Sequence, residues 1–104
     1  MSKYEIKRNP THPGEILKED FLMPLGLSQT DLAKALKTSF RTINEILNEK
    51  RSISPDMALR LSRYFGTSPD VWIGLQADYD LYWAGVKSKK TISTIKPLQA
   101  KRAA

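Results

Sequence analysis

Residues 28–48 read SQTDLAKALKTSFRTINEILN, and this stretch decides the fold. Ser28 stands three positions before Asp31, the spacing of a capping box with Asp in place of the usual Glu or Gln. Leu27 before the cap and Leu32 inside the helix form a hydrophobic staple. Leu32, Ala33 and Leu36 make a short inward face, so the helix runs only to about Leu36 or Lys37. Lys37-Thr38-Ser39 then forms a turn, and Ser39 caps a second helix. Ile43, Ile46 and Leu47 recur at i, i+3 and i+4, which buries one side of it. Helical periodicity puts Arg41, Glu45 and Asn48 nearly opposite that side, with Asn44 beside them and Phe40 and Thr42 at the flanks. Ala33 is small enough to let the two helices cross closely. The unit is a helix, a three-residue turn and a second helix with a polar outer face.

The flanking sequence is punctuated for further helices. Pro13 suits the first turn of a helix capped by Thr11 or His12. Ile16, Leu17, Phe21 and Leu22 supply its apolar face, and Pro24 and Gly26 end it. Ser54-Pro55-Asp56 opens a fourth helix, with Ala58, Leu61 and Phe65 inward, joined by Met57 and Tyr64. Gly66 follows its end, where positive φ is cheap. Ser68-Pro69-Asp70 opens a fifth helix running to about Val86. No segment shows the alternation of a strand or an Asn-Gly or Asp-Gly hairpin. The chain is therefore expected to be all-α. It divides into an N-terminal arm (1–11), a helical domain (12–86) and a basic tail (87–104) with a short extended piece around Thr91–Ile95.

The chain has 104 residues and a formal charge of +6. Residues 1–86 carry 11 basic and 11 acidic residues, so the domain is neutral. The excess lies in the tail, on Lys87, Lys89, Lys90, Lys96, Lys101 and Arg102. The basic pI of about 9.7 is thus weak evidence for an anionic partner of the domain. With no Cys, a disulfide framework, a thiol nucleophile and a cysteine metal site are excluded. No apolar run reaches membrane length, and the N-terminus lacks a signal region, which points to the cytoplasm. The only histidine is His12, and Glu19 and Asp20 are adjacent on a helix, so they point apart. No catalytic set, metal site or glycine-rich phosphate loop is present in the pattern. An enzyme and a cofactor are not expected.

The outer face of the second motif helix carries side chains that read DNA. A helix fits the major groove, where Arg pairs with guanine, Asn with adenine, and Glu accepts from the cytosine amine. Gln29 and Thr30 at the preceding helix N-terminus suit a phosphate. Lys34, Lys37, Lys50 and Arg51 flank the display helix and could contact phosphate on either side. The competing reading is a small helical bundle whose polar face is only solvated. The fifth helix is too apolar for one face. Val71, Leu75, Tyr79, Tyr82 and Val86 form a stripe, flanked by Trp72 and Trp83, with Leu81 away from it. This set is either ordinary core or a dimer contact centred on Val71, Trp72, Leu75, Tyr79, Tyr82 and Trp83. A dimer would present two display helices about 34 Å apart, one turn of DNA. Asp70, Asp78 and Asp80 give the helix an acidic surface that suits a basic protein partner or water.

Residues 12–83 also resemble a known family. The likeness is carried by His12-Pro13-Gly14-Glu15-Ile16-Leu17, Pro24-Leu25-Gly26-Leu27-Ser28-Gln29, Asp31-Leu32-Ala33, Thr42-Ile43, Glu45-Ile46-Leu47-Asn48 and Lys50-Arg51. It continues through Ser54-Pro55-Asp56-Met57-Ala58-Leu59-Arg60-Leu61, Gly66-Thr67-Ser68-Pro69, Trp72, Leu75-Gln76 and Tyr79-Asp80-Leu81. In order and spacing these are similar to the HigA antitoxins, part of the phage-repressor-like helix–turn–helix proteins. The resemblance implies a five-helix, lambda-repressor-like domain. It also implies a homodimer that binds palindromic double-stranded operator DNA in its own promoter. It further implies binding and neutralisation of a small basic toxin similar to ribosome-dependent messenger-RNA endonucleases. Gln29, Ser39, Arg41, Thr42, Asn44, Glu45 and Asn48 fall on the family's DNA-facing positions. The family often has Gly at the position of Lys37, a turn residue that needs positive φ, and Arg at that of Phe40. Phe40 could touch a thymine methyl, wedge against a sugar, or cover the domain's own core. The alternative is a phage-like or metabolic repressor with no toxin. A third reading is an interaction domain that uses only its acidic, aromatic fifth helix.

Overall fold

The computed structural model describes residues 10–98. All its regular elements are helices. The first, α1 (residues 13–25), changes pitch along its length: an α-helical turn at Pro13–Ile16, a π-helical segment at Leu17–Leu22 and a last turn at Met23–Leu25. Pro24 does not end it. Pro24 has no N–H to give Asp20, and the turn before it widens so that Met23 N–H donates to the carbonyl of Lys18. Gly26 closes α1 at φ 66°. Of the two possible caps, His12 is the one used, its Nδ1 accepting from Gly14 N–H at 2.8 Å.

The remaining elements are α2 (Gln29–Leu36), α3 (Phe40–Leu47), α4 (Pro55–Phe65), α5 (Pro69–Lys87) and α6 (Lys89–Ser93). Ser28 and Asp31 form the reciprocal capping box, and Ser39, Ser54 and Ser68 each accept a backbone N–H in the following turn. Lys37 takes the left-handed conformation at φ 56°. The helix α6 corrects the expected extended piece at Thr91–Ile95. The hydroxyls of Ser93 and Thr94 donate to the carbonyls of Lys90 and Thr91, holding one helical turn there.

The core is built by Leu17, Leu22, Leu32, Ala33, Leu36, Ile43, Ile46, Leu47, Ile53, Met57, Ala58, Leu61 and Trp72. Full burial of each large member contributes about 1.5–3 kcal/mol. Phe21 and Phe65 cover it, their rings 4.8 Å apart. Tyr64, expected inward, is exposed, stacked edge-on against Phe65. Trp72 is fully buried and donates its indole N–H to Thr67 Oγ1 at 2.9 Å. The N-terminus of α1 lies on the C-terminus of α3 so closely that a Cβ on Gly14 would sit 1.9 Å from Ile46 O. Buried Gln76 ties the loop after α3 to α5, accepting from Ile53 N–H and donating to Asp80. Among the described residues, no helix is long and apolar enough to cross a membrane.

Candidate nucleic-acid interface

The site is the outer face of α3 and the turns at either end of it. α3 is held in place from its inner side by Ile43, Ile46 and Leu47, all buried. Its start is held by Ser39, whose Oγ accepts from Thr42 N–H and lies 2.9 Å from Thr42 Oγ1. The end of α2 and the turn that leads into α3 are tied to α4 by Arg60. One guanidinium nitrogen of Arg60 donates to the carbonyls of Leu36 (2.9 Å) and Lys37 (2.8 Å), and Nε pairs with Asp56. The carbonyls orphaned where α2 ends are thereby satisfied. Sequence reasoning misses this role of Arg60. Its i, i+4 spacing from Asp56 is the one local signal that its guanidinium is held in a fixed place.

Two networks organise the exposed face. The first is a chain of amides: Asn48 donates to Asn44 Oδ1 at 3.1 Å, and Asn44 donates to Gln29 Oε1 at 2.9 Å. Gln29 thus links the start of α2 to the middle of α3. The second is ionic. Glu45 accepts from Arg41 Nε at 3.1 Å through one oxygen, and from Arg51 Nε and Nη2 at 2.9 and 2.6 Å through the other. The guanidinium hydrogen bonds of Arg51 and then Arg41 hold the Glu45 carboxyl below its ordinary value. Arg51 reaches back six residues because the chain reverses at Glu49, which adopts φ 61°.

The expected base-reading residues are all on or beside this face. Arg41 and Asn48 are exposed, and Thr42, Asn44 and Glu45 are half-buried. Phe40 is 52% exposed and forms no part of the core. Ser39 is exposed, with its hydroxyl engaged as the cap. Of the expected phosphate contacts, Thr30, Lys34, Lys37 and Lys50 are exposed and take part in neither network among the described residues, whereas Gln29 and Arg51 are committed to one network each.

The expected dimer set divides. Trp72 belongs wholly to the core and offers no surface. Leu75, Tyr79 and Tyr82 are half-buried, and Tyr79 stands edge-on to His12 at 4.8 Å. Val71 and Trp83 are exposed, together with Leu81 and Val86. Burial holds His12 below its ordinary pKa, against the opposing pull of Glu49 and Asp80.

A family model described as helix-turn-helix matches residues 17–72. Virulence-associated protein I of Dichelobacter nodosus is 52% identical, over 84% of this chain and 80% of its own. The structure of the Pseudomonas aeruginosa antitoxin HigA with the higBA promoter superposes with a TM-score of 0.84 at 49% identity, covering 88% of this chain and all of that one. The antitoxin GraA in complex with its operator gives a TM-score of 0.82 at 41% identity, covering 91% and 99%. The α2–turn–α3 unit lies inside the matched region, and the likeness extends over the whole domain. The chain belongs to the helix-turn-helix family and, within it, to the HigA antitoxins.

Proposed function

We propose that this antitoxin binds, as a homodimer, a palindromic operator in its own promoter, with α3 in the major groove. Arg41, Asn44 and Asn48 read base edges there, with Phe40 and Thr42 at the margin of the helix. Thr30, Lys34, Lys37 and Lys50 meet phosphates and set the register. The observation that carries the proposal is the ordered outer face of α3, where Arg41 is bonded to Glu45, and Asn48 and Asn44 are linked through to Gln29 of α2. Pre-ordering of that kind lowers the entropy lost on binding. The relative solved with a promoter and the relative solved with its operator support the same reading.

Dimerisation is assigned to the exposed part of α5. Val71, Leu81, Trp83 and Val86, with half-buried Leu75 and Tyr82, leave an apolar surface on a helix that has already used Trp72 and Gln76 inward. The second activity is neutralisation of a small basic toxin similar to a messenger-RNA endonuclease. It is supported by the membership of the HigA antitoxins and by acidic Asp70, Asp78 and Asp80 on α5.

The test has two arms. A labelled duplex of the chain's own promoter should shift at lower protein concentration than a scrambled duplex of the same composition. Equal affinity for both duplexes would overturn the operator function. Co-expression with the product of the adjacent small open reading frame should give one stable complex. A promoter-specific shift without any such complex would leave the alternative, a repressor with no toxin.

A further inference from the structure

Glu45 presents a difficulty for a DNA-facing helix, because a bare carboxylate repels phosphate. The structure removes it. Both carboxylate oxygens are occupied, one by Arg41 and one by Arg51. The two arginines are held differently. Arg51 gives Glu45 two donors, Nε and Nη2, which converge on one carboxylate oxygen at 2.9 and 2.6 Å, and it lies on the loop beyond α3. Arg41 gives only Nε, and its side chain remains 83% exposed. The Nη1 and Nη2 groups of Arg41 make no hydrogen bond among the described residues, so the guanidinium is held from one side, through Nε.

We propose that Glu45 is a specificity-determining positioning residue: it aims the free end of Arg41 at a base pair, while Arg51 serves as the counter-ion that keeps the carboxylate from repelling DNA. Glu45 then reads no cytosine itself, and Arg51 acts on Glu45 more than on phosphate. This rests on the operator-binding function above and names the residue that gives it selectivity. Long side chains lose considerable freedom when fixed at an interface. Fixing Arg41 before the encounter favours the one site that its end matches, and an unfixed Arg41 would find a phosphate on any sequence.

The test is Glu45→Gln, which keeps the shape and removes the charge. Promoter and scrambled duplexes are titrated at one salt concentration. The ratio of their affinities should fall about three- to tenfold, in line with the loss of one pre-ordered side chain. Affinity for the scrambled duplex should be equal or tighter. A base-pair scan of the promoter should relax at the positions that Arg41→Ala also relaxes, and the double variant should add little to Arg41→Ala alone. In the free protein, the NMR signals of the Arg41 and Arg51 Nε–H groups should both move. Glu45→Ala gives the same test on a residue that favours helix, should the glutamine unsettle the fold. An unchanged ratio in a folded variant overturns the proposal. So does relaxation confined to a single G·C pair that Arg41→Ala leaves intact, the mark of a direct cytosine reader. Wild-type protein that fails to distinguish the duplexes overturns the operator function itself, a separate and recognisable result.

Discussion

Gly14→Ala is the sharpest test of how the reading helix is held. An added Cβ would stand 1.9 Å from the carbonyl oxygen of Ile46, 2.9 Å from its carbon and 3.0 Å from His12 Nδ1. An ordinary carbon–oxygen contact is about 3.3 Å, so α1 must withdraw from α3 by more than an ångström. The obstacle is backbone, and no rotamer change relieves it. Overpacking of this kind costs about 1–3 kcal/mol. The displaced His12 also weakens its cap on Gly14 N–H, at about 0.5–2 kcal/mol. The sum is about 1.5–5 kcal/mol. A domain of this size loses about 4–8 °C per kcal/mol, so the melting temperature should fall by at least about 6 °C. Urea unfolding followed by circular dichroism measures the same loss as a lower midpoint with an unchanged slope. Gly74→Ala on α5 is the matched control. Nothing lies within 4 Å of its Cβ position, and better helix propensity should stabilise it by up to about 1 kcal/mol. If Gly14→Ala melts within about 2 °C of the parent, well inside the shift expected from overpacking, the close approach of α1 to α3 is not as described.

Three further outcomes follow from the same geometry. Arg60→Ala leaves the carbonyls of Leu36 and Lys37 without their donor and should destabilise the domain by about 1–3 kcal/mol in the same urea assay. His12 is neutral when it accepts from Gly14, and burial lowers its pKa. The unfolded chain therefore binds the proton more readily, and stability should fall as pH drops below the ordinary histidine value of about 6.5. His12→Asn, which can also cap, should flatten that slope between about pH 5 and 7. Deleting residues 87–104 removes six positive charges and no acid. Non-specific DNA affinity should weaken, with a salt slope lower by about 0.9 for each phosphate that is no longer neutralised, while promoter preference survives.

The parts legible in sequence are those set by local chemistry. Ser28, Ser39, Ser54 and Ser68 announce four helix starts because each accepts a hydrogen bond two or three residues ahead. The left-handed Lys37 follows from its place in the family's turn. The bonds that join distant segments are not legible. Arg60 reaches the carbonyl of Leu36 from another helix, and Gln76 of α5 reaches Ile53 in the loop after α3. The pairing of Glu45 with Arg51 is not legible either, because nothing local shows Arg51 returning to it. That return needs a left-handed Glu49, a conformation more readily anticipated at glycine or asparagine. Trp72 falls in the expected dimer set because α5 is apolar on several sides, and periodicity alone cannot say which side meets the core. The π-helical segment escapes for a related reason: Pro24 signals a helix end, and here the helix accommodates it by widening.

The most direct test of operator reading by α3 is the base-pair specificity of Arg41→Ala on the chain's own promoter, measured by anisotropy at fixed salt. The expected result is a loss of about 1–3 kcal/mol, concentrated at one or two symmetry-related base pairs. A folded variant with the parent's full base-pair profile would contradict it.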